Sequence, residues 1–333
     1  MSEQTIRWGV LGASNIARRV VPDIRRVPGA SVVAVAASDG DRAKAWADEN
    51  EIPNAFSSYA ELAESSEVDI VYVTTVHSAH HTAVKLCLEA GKPVIVEKPF
   101  TVHLSDAQEL VELARERGVF LMEAMWTRLN PLMVEMKSRI AAGDIGELLQ
   151  VRANLGPSSG RNPRLWDLSL GGGILLECVV YPLAFASHFL GEPNSVAAKA
   201  HFKEGIDDAT SLLLGYESGA QAVLTSSIAR GVAKGPVSDG VIIGTEGWID
   251  VPTGMFCPEA YVIHRRGEDP EEVVREKVGN GYVEEAAEAT RCVREGLLES
   301  PLMPLDDTLG VMRVIDETYQ QTGIKYPSAP LLV

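Results

Sequence analysis

The sequence predicts an α/β protein of two domains, a doubly wound parallel sheet followed by an α+β domain. Its 333 residues suffice for about two domains of roughly 150 residues each. Roughly the first 125 residues alternate short apolar runs with amphipathic segments, which is typical of a parallel sheet covered on both faces. Beyond about Trp126, strand-like segments follow one another across short turns, which indicates antiparallel pairing.

The first domain is predicted to contain alternating strands and helices. The strands are residues 6–11, 31–37, 70–74, 94–97 and 119–122. Ile16, Val20 and Ile24 repeat every four residues and indicate the first helix. Further helices are predicted at residues 42–49 and 80–90, and a fourth begins at Ser105, where Gln108 completes a capping box. This fourth helix has a core-facing stripe of Ala107, Leu110, Val111 and Ala114.

The second domain is predicted to be α+β with a large, mostly antiparallel open sheet. A helix bearing Leu132, Met133, Met136 and Ile140 precedes strands at residues 148–153, 195–202, 209–216, 220–228, 241–244 and 261–264. Helices at residues 282–295 and 307–319 follow. We therefore expect domains at residues 1–124 and 125–333, with the last helix packing back towards the first domain.

The charge balance limits the partners. Thirty basic against 46 acidic residues give a net charge of −16, which argues against nucleic-acid and anionic-membrane binding. No run reaches the ~18 apolar residues of a membrane span, and the N-terminus does not resemble a signal peptide. The four cysteines lie far apart, which favours buried thiols in a reducing cytoplasm.

The first strand leads directly into a glycine motif, Gly9-x-x-Gly12-x-Ser14-x-x-Ala17. Gly12 permits a tight turn, a small residue at Ser14 permits close backbone approach to a pyrophosphate, and Ala17 permits close helix–strand packing. The following helix N-terminus offers N–H groups to phosphates. The motif predicts an NAD(P)-binding Rossmann domain whose phosphate-binding residues are Gly9, Gly12, Ala13, Ser14, Asn15 and Ile16.

The end of the second strand bears on the choice between NADP and NAD. An acidic residue about 20 positions after the motif usually binds the ribose of NAD. Here that distance falls at Ala37 and Ser38, and Arg42 follows, which suits the 2′-phosphate of NADP. Asp39 could instead turn towards a ribose, so NADP is favoured and NAD stays open.

Polar residues after the third strand are predicted to line the cofactor crevice: Thr74, Thr75, His77 and His80. His77 and His81 have the i, i+4 spacing of a metal pair, but no carboxylate stands nearby in sequence. We therefore expect no metal site.

Two further segments carry candidate catalytic residues. Glu97-Lys98-Pro99 ends the fourth strand, at the edge where doubly wound sheets bind ligands, although a surface lysine at a turn fits equally well. Glu177 and Tyr181 follow three glycines and share one helix face, which suits a proton-handling pair. Pairing of Glu177 with an arginine and ordinary packing of Tyr181 are the structural alternatives.

Together the glycine turn, Glu97-Lys98-Pro99 and the Gly171–Tyr181 segment resemble the Gfo/Idh/MocA oxidoreductases, and within them the group of dihydrodiol and NADP-dependent D-xylose dehydrogenases. The resemblance implies that Lys98 lies near the nicotinamide and that the Lys98–Pro99 bond is cis. Many members carry D-x-x-x-H where Glu177 and Tyr181 stand, and tyrosine is the version of the dihydrodiol group. The resemblance also places Trp126 and Arg128 near the substrate.

We therefore expect an NAD(P)-dependent oxidoreductase that transfers a hydride between nicotinamide and a secondary alcohol or ketone of a small neutral sugar or cyclic diol. Lys98, Tyr181 and Glu177 are the predicted catalytic residues. The alternatives are an anhydrosugar or keto-sugar reductase of the same family and a non-catalytic dinucleotide-sensing regulator. The resemblance further implies a homodimer or homotetramer formed through the C-terminal sheet.

Overall fold

A computed structural model describes residues 5–156, 162–228 and 237–327. The chain forms two compact units. The described part of the first unit comprises residues up to Met125 together with Val278–Thr308. The second unit comprises Trp126–Lys277 and Leu309–Pro327.

The first unit is built on a six-stranded parallel sheet of order β3-β2-β1-β4-β5-β6. Its strands are β1 (Ile6–Leu11), β2 (Ala30–Ala36), β3 (Asn54–Phe56), β4 (Ile70–Val73), β5 (Val94–Glu97) and β6 (Leu121–Ala124). Its helices are α1 (Asn15–Ile24), α2 (Gly40–Glu49), α3 (Tyr59–Glu64), α4 (His80–Glu89), α5 (Leu104–Arg117) and α9 (Val283–Glu295). The predicted doubly wound sheet is confirmed.

Two details of this unit differ from the sequence prediction. The predicted capping box at Ser105 is wrong, because α5 begins at Leu104 and His103 occupies the cap position without a side-chain hydrogen bond. Strand β3 and helix α3 are additional elements, and their short or largely polar sequences explain why periodicity did not indicate them. The predicted apolar stripe of α5 is buried.

The second unit is built on an eight-stranded sheet of order β14-β13-β12-β11-β7-β10-β9-β8. Its strands are β7 (Leu148–Gly156), β8 (Ser195–Lys203), β9 (Ile206–Gly215), β10 (Gln221–Ser227), β11 (Val237–Gly244), β12 (Gly247–Val251), β13 (Ala260–Arg265) and β14 (Glu271–Val274). Strands β7 and β10 pair in parallel and the other neighbours are antiparallel, which confirms a mostly antiparallel sheet. Strands β12 and β14 were not predicted.

The helices of the second unit include the segment that carries Tyr181. They are α6 (Trp126–Leu129), α7 (Pro131–Ala141), α8 (Val180–Leu190) and the part of α10 (Leu305–Thr322) from Leu309 onward. A π-helical turn, Leu175–Val179, leads into α8.

The run Leu168–Leu190 is long and apolar enough to cross a membrane, which corrects the expectation that no run reaches that length. Of its 18-residue apolar window, 72% is buried inside the protein, as expected for a core helix.

Candidate active site

The glycine motif of the first unit forms a tight turn between β1 and α1. Gly12 has a φ of +114°, a conformation that side chains rarely adopt. A Cβ at this position would come within 3.0 Å of the Thr74 carbonyl carbon and hydroxyl oxygen. The Thr74 hydroxyl donates to the Gly12 carbonyl at 2.7 Å, which ties this turn to the end of β4. The backbone therefore requires glycine at this position.

The N-terminus of α1 fits a phosphate. Ser14 is the N-cap, and its hydroxyl oxygen accepts the Ala17 N–H at 3.2 Å, while the described residues provide no acceptor for its hydrogen. The neutral residues Asn15, Ile16 and Ala17 form the first turn, so the partial positive charge of the helix end is not offset there. This donor set matches the requirement of a dinucleotide pyrophosphate.

The end of β2 leaves two predicted NADP-binding residues, Ser38 and Arg42, exposed. Asp39 is the N-cap of α2, and its carboxylate accepts the Arg42 N–H at 2.7 Å. The Asp39 side chain is thus used in a helix cap. The sequence had left open a contact between Asp39 and the cofactor ribose.

His77 and His80, which follow β4, are buried. His77 lies in a 3₁₀ turn, and its ring makes an edge contact with the His80 ring at 5.7 Å between centroids. His80 Nδ1 lies 2.9 Å from the Pro99 carbonyl oxygen, and its Nε2 lies 3.3 Å from that of Thr75. His80 therefore links the end of β4 to the residue after Lys98.

Lys98 follows the last residue of β5, and the Lys98–Pro99 bond is cis, as the resemblance implied. Because β1, β4 and β5 are adjacent and parallel, their carboxyl ends bring Gly12, Thr74 and Lys98 to one edge of the sheet. The buried Glu97 carboxylate accepts the Lys98 N–H at 3.2 Å and the hydroxyl hydrogen of Tyr72. These bonds fix the backbone at Lys98.

The pKa of the Tyr72 hydroxyl is raised well above 10, because the group is buried and because Glu97 and Glu285 lie near it. Tyr72 therefore remains a neutral donor to Glu97. Sequence reasoning missed Tyr72, although a lone tyrosine within the apolar strand Ile70–Val73 is a signal that could have drawn attention to it.

In the second unit, Glu177 lies in the π-helical turn and forms an ion pair with Arg164, with 2.6 Å between Oε2 and Nη2. The structural alternative considered for Glu177, pairing with an arginine, is therefore present. This pair joins the turn to the preceding Pro163–Trp166 segment.

Tyr181 and Trp126 share an aromatic neighbour. The Phe256 ring lies 5.7 Å from the Tyr181 ring and 5.9 Å from the Trp126 ring, measured between centroids. The Phe256 carbonyl accepts a hydrogen bond from Thr127 of α6 at 2.6 Å. The structure thus brings two predicted residues, Tyr181 and Trp126, to one aromatic cluster and adds Phe256, which sequence reasoning missed.

Arg128 is buried on α6. His188 on α8 has its pKa lowered to about 3, mainly by burial and also by the nearby charges of Arg128 and Lys137. Its Nε2 lies 3.2 Å from the Met133 carbonyl. His188 is therefore a neutral packing residue.

Among the residues that the structure describes, no group of three or more His, Cys, Asp or Glu side chains is arranged to hold a metal ion. His81 Nε2 instead lies 2.8 Å from the Glu109 carboxylate, a pairing that also involves Lys85.

Comparison with known proteins matches residues 6–125 to an oxidoreductase family with an NAD-binding Rossmann fold and residues 133–250 to the GFO/IDH/MocA C-terminal domain. The chain is similar to a trans-1,2-dihydrobenzene-1,2-diol dehydrogenase of Xenopus tropicalis, with 36% identity over 96% of this chain and 99% of that protein.

Among solved structures, a 3-ketoreductase from Actinomadura kijaniata in complex with NADP and TDP-benzene is 26% identical, with a TM-score of 0.84 over 96% of this chain and 98% of that one. An NAD binding oxidoreductase from Klebsiella pneumoniae shares the fold, at 22% identity and a TM-score of 0.87 over 96% and 97% of the two chains.

The parallel sheet, its glycine turn and these matches define an NAD(P)-dependent oxidoreductase. The chain belongs to the Gfo/Idh/MocA family. The matches to named dehydrogenases therefore favour an enzyme over the alternative of a non-catalytic dinucleotide sensor.

Proposed function

We propose that the protein is an NADP-preferring dehydrogenase that acts on a secondary alcohol of a cyclic diol or small neutral sugar. The observation that carries the proposal is the similarity, over nearly the whole chain, to proteins named trans-1,2-dihydrobenzene-1,2-diol dehydrogenase. The aromatic cluster of Trp126, Tyr181 and Phe256 supports it, because these rings suit an apolar cyclic substrate and the Tyr181 hydroxyl suits its alcohol.

The cofactor is proposed to occupy the carboxyl edge of the parallel sheet. The N–H groups of Ala13, Asn15 and Ile16, with the Ser14 hydroxyl, would hold the pyrophosphate. Ser38 and Arg42 would hold the 2′-phosphate, because the Asp39 carboxylate is used in the cap of α2. When bound, the nicotinamide supplies the hydride acceptor or donor.

The chain's own residues handle orientation and the hydroxyl proton. We assign Tyr181 as the group that exchanges this proton. Lys98 orients the substrate oxygen and stabilises negative charge on it, and Glu97 fixes the Lys98 backbone through the N–H bond at 3.2 Å. Glu177 is better described as a positioning residue, since its carboxylate is paired with Arg164.

Turnover assays with matched variants test these assignments. The substrates are trans-dihydrodiols, D-xylose, D-glucose and an anhydrosugar, each with NADP. Tyr181→Phe should lower kcat by at least ~100-fold. Tyr216→Phe is the control, because the Tyr216 hydroxyl is buried without a hydrogen-bond partner among the described residues. Equal activity of the two variants would remove Tyr181 from the mechanism.

Lys98→Met tests the lysine in the same assay. We expect kcat to fall by roughly 10- to 100-fold, because a charge that stabilises the reacting oxygen is lost. Lys44→Met is the control, since Lys44 is exposed on α2 and pairs only loosely with Asp48 at 3.4 Å. Unchanged turnover in Lys98→Met would contradict the proposed role of Lys98.

The cofactor preference has a separate test. Arg42→Ala should weaken NADP binding by about 10-fold and leave NAD binding unchanged, because only NADP carries the 2′-phosphate. Arg266→Ala, on an exposed arginine of the second unit, is the control. Tighter binding of NAD than NADP by the unmodified protein would overturn the NADP preference.

A second candidate function is reduction of a keto-sugar, favoured by the similarity to the 3-ketoreductase in complex with NADP and TDP-benzene. This function differs from the first in substrate and physiological direction. The ratio of kcat/KM for diol oxidation with NADP to that for keto-sugar reduction with NADPH distinguishes the two.

We also propose that the protein forms a homodimer or homotetramer through the sheet of the second unit. Leu213, Val223 and Trp248 on this sheet are 46%, 36% and 43% exposed, although each is large and apolar. Val223→Asp should lower the molar mass measured by light scattering, and an unmodified protein that elutes as a monomer would refute the proposal.

A cytoplasmic location is proposed because all four cysteines are buried thiols that form no disulfide among the described residues. Fractionation of cells producing the native chain tests it, and recovery outside the cytoplasmic fraction would refute it.

A further inference from the structure

Asp207 is a buried carboxylate that the proposed mechanism does not use. It lies near the start of β9 and is 1% exposed. Its Oδ2 accepts the Leu175 N–H and the Thr210 hydroxyl hydrogen, both at 2.8 Å. Its Oδ1 has no hydrogen-bond partner in the part of the chain that is described. Burying an incompletely bonded carboxylate is costly, so a role beyond packing is indicated.

The glycine turn before the π-helical segment packs directly on this carboxylate. A Cβ at Gly173, whose φ is +107°, would lie 2.2 Å from the Asp207 Oδ1. The hydroxyl of Tyr326 donates to the Gly172 carbonyl at 2.7 Å. The turn is therefore held by both a carboxylate and a phenol, and glycine at position 173 is what permits the close approach.

The segment bound by Asp207 leads through the π-helical turn Leu175–Val179 to Tyr181. Leu175 is the first residue of the π-helical turn, where backbone N–H groups lack partners within the helix. Asp207 supplies a partner from a strand 32 residues away. A π-helical turn contains one residue more than an α-helical turn, so rewinding to α would rotate the following side chains by about 100°. The Tyr181 phenol stands two residues after this turn.

We propose that Asp207 is a positioning residue, whose ionised carboxylate holds the start of the π-helical turn and so directs the Tyr181 phenol. This inference rests on the proposed function of Tyr181. It assigns to Asp207 a part in the reaction that neither sequence pattern nor family similarity supplied.

The surroundings of Asp207 make its charge sensitive to pH. Burial raises its pKa to about 7, although the hydrogen bonds from the Thr210 hydroxyl and the Leu175 N–H act in the opposite direction. The titratable groups that face it are Tyr319 on α10 and Tyr326 after that helix. Burial and the Asp207 charge raise the pKa of both phenols well above 10, so both stay neutral. Protonation of Asp207 weakens its bond to the Leu175 N–H.

The test compares Asp207→Asn with Asp208→Asn in pH profiles of kcat and KM. Asp208 is the adjacent carboxylate and instead contacts His201 Nδ1 at 2.5 Å. Asp207→Asn should lower kcat by roughly 10- to 100-fold with little change in KM, because it misplaces a reacting group without removing it. It should also abolish the decline of kcat below about pH 7. Asp208→Asn should retain both the rate and the profile.

Thr210 provides a milder variant that keeps the carboxylate. Thr210→Val removes one hydrogen bond to the ionised form, so the acidic limb of the kcat profile should move to higher pH. Thr210→Ser should restore it. Amide hydrogen exchange of residues 171–179 should be faster in Asp207→Asn than in Asp208→Asn.

A normal kcat profile in Asp207→Asn, or an unmoved limb in Thr210→Val, overturns the proposal. Failure of the positioning role of Asp207 can be distinguished from failure of the proposed role of Tyr181. Normal turnover in Tyr181→Phe refutes the proposed function, whereas impaired Tyr181→Phe with normal Asp207→Asn refutes only the positioning role. Adding Asp207→Asn to Tyr181→Phe should cause little further loss, because both act on one group.

Discussion

Replacement of Gly12 by alanine tests whether the turn between β1 and α1 binds the cofactor, as proposed. Gly12 has a φ of +114°, and a Cβ there would lie 3.0 Å from Thr74. Gly91, the matched control, has a φ of +73°, and no atom of the described residues lies within 4 Å of its Cβ position. Gly91→Ala therefore introduces backbone strain alone, whereas Gly12→Ala introduces strain and a steric conflict with Thr74.

The magnitudes follow from these two environments. Strain at a positive φ costs about 1–2 kcal/mol in each variant. Gly12→Ala also displaces Thr74 and breaks its 2.7 Å bond to the Gly12 carbonyl, which adds about 1 kcal/mol. We expect the free energy of unfolding to fall by about 2–3 kcal/mol for Gly12→Ala and about 1–2 kcal/mol for Gly91→Ala.

Urea unfolding and NADP titration by calorimetry measure the two effects. Gly12→Ala should weaken NADP binding by at least ~10-fold because the turn proposed to face the phosphates widens, whereas Gly91→Ala should bind NADP like the unmodified protein. Equal NADP affinity in all three proteins would refute the assignment of this turn to the cofactor.

Three further results are expected. Tyr72→Phe should lower the free energy of unfolding by about 1–3 kcal/mol in urea, because the buried Glu97 carboxylate loses a donor; no change would mean that this bond is unimportant. Phe256→Ala should raise KM for a cyclic diol by about 10-fold and affect D-xylose less, because an aromatic contact is lost; equal effects on both substrates would contradict the aromatic cluster as a ring-binding surface. The pKa of Asp207 is raised from 3.8 to about 7, so between these values the folded state keeps a proton that the unfolded state releases. The free energy of unfolding should therefore decline as the pH rises from about 4 to about 7. Urea titrations at a series of pH values should show no such decline in Asp207→Asn. The same pH dependence of the free energy of unfolding in Asp207→Asn and the unmodified protein would contradict burial of an ionising Asp207.

Local sequence patterns predicted those helices and strands whose own residues form a recognisable apolar pattern. Strand β1 coincides with the predicted residues 6–11, since a buried parallel strand is a continuous apolar run. The cap at Ser105 failed because Ser-x-x-Gln also fits the interior of a helix that begins one residue earlier. Strand β14, with the sequence Glu-Glu-Val-Val, lies at a sheet edge where no apolar run is needed.

The residues that were missed act through contacts between distant parts of the chain. Asp207 bonds to Leu175, and Phe256 packs on Tyr181, so neither is visible in any local motif. Glu177 shows the complementary difficulty, because its spacing from Tyr181 suggested a catalytic pair while Arg164 provides its partner. Side-chain partners of this kind are determined by tertiary packing.

The most direct test of the account is the single-turnover rate of NADP reduction by a trans-dihydrodiol, followed by nicotinamide absorbance between about pH 6 and 9. The unmodified protein, Tyr181→Phe and Tyr216→Phe are compared with saturating cofactor. Because Tyr181 is proposed to exchange the hydroxyl proton, hydride transfer should slow by at least ~100-fold in Tyr181→Phe alone. A Tyr181→Phe rate within about 3-fold of the unmodified protein at every pH would contradict it.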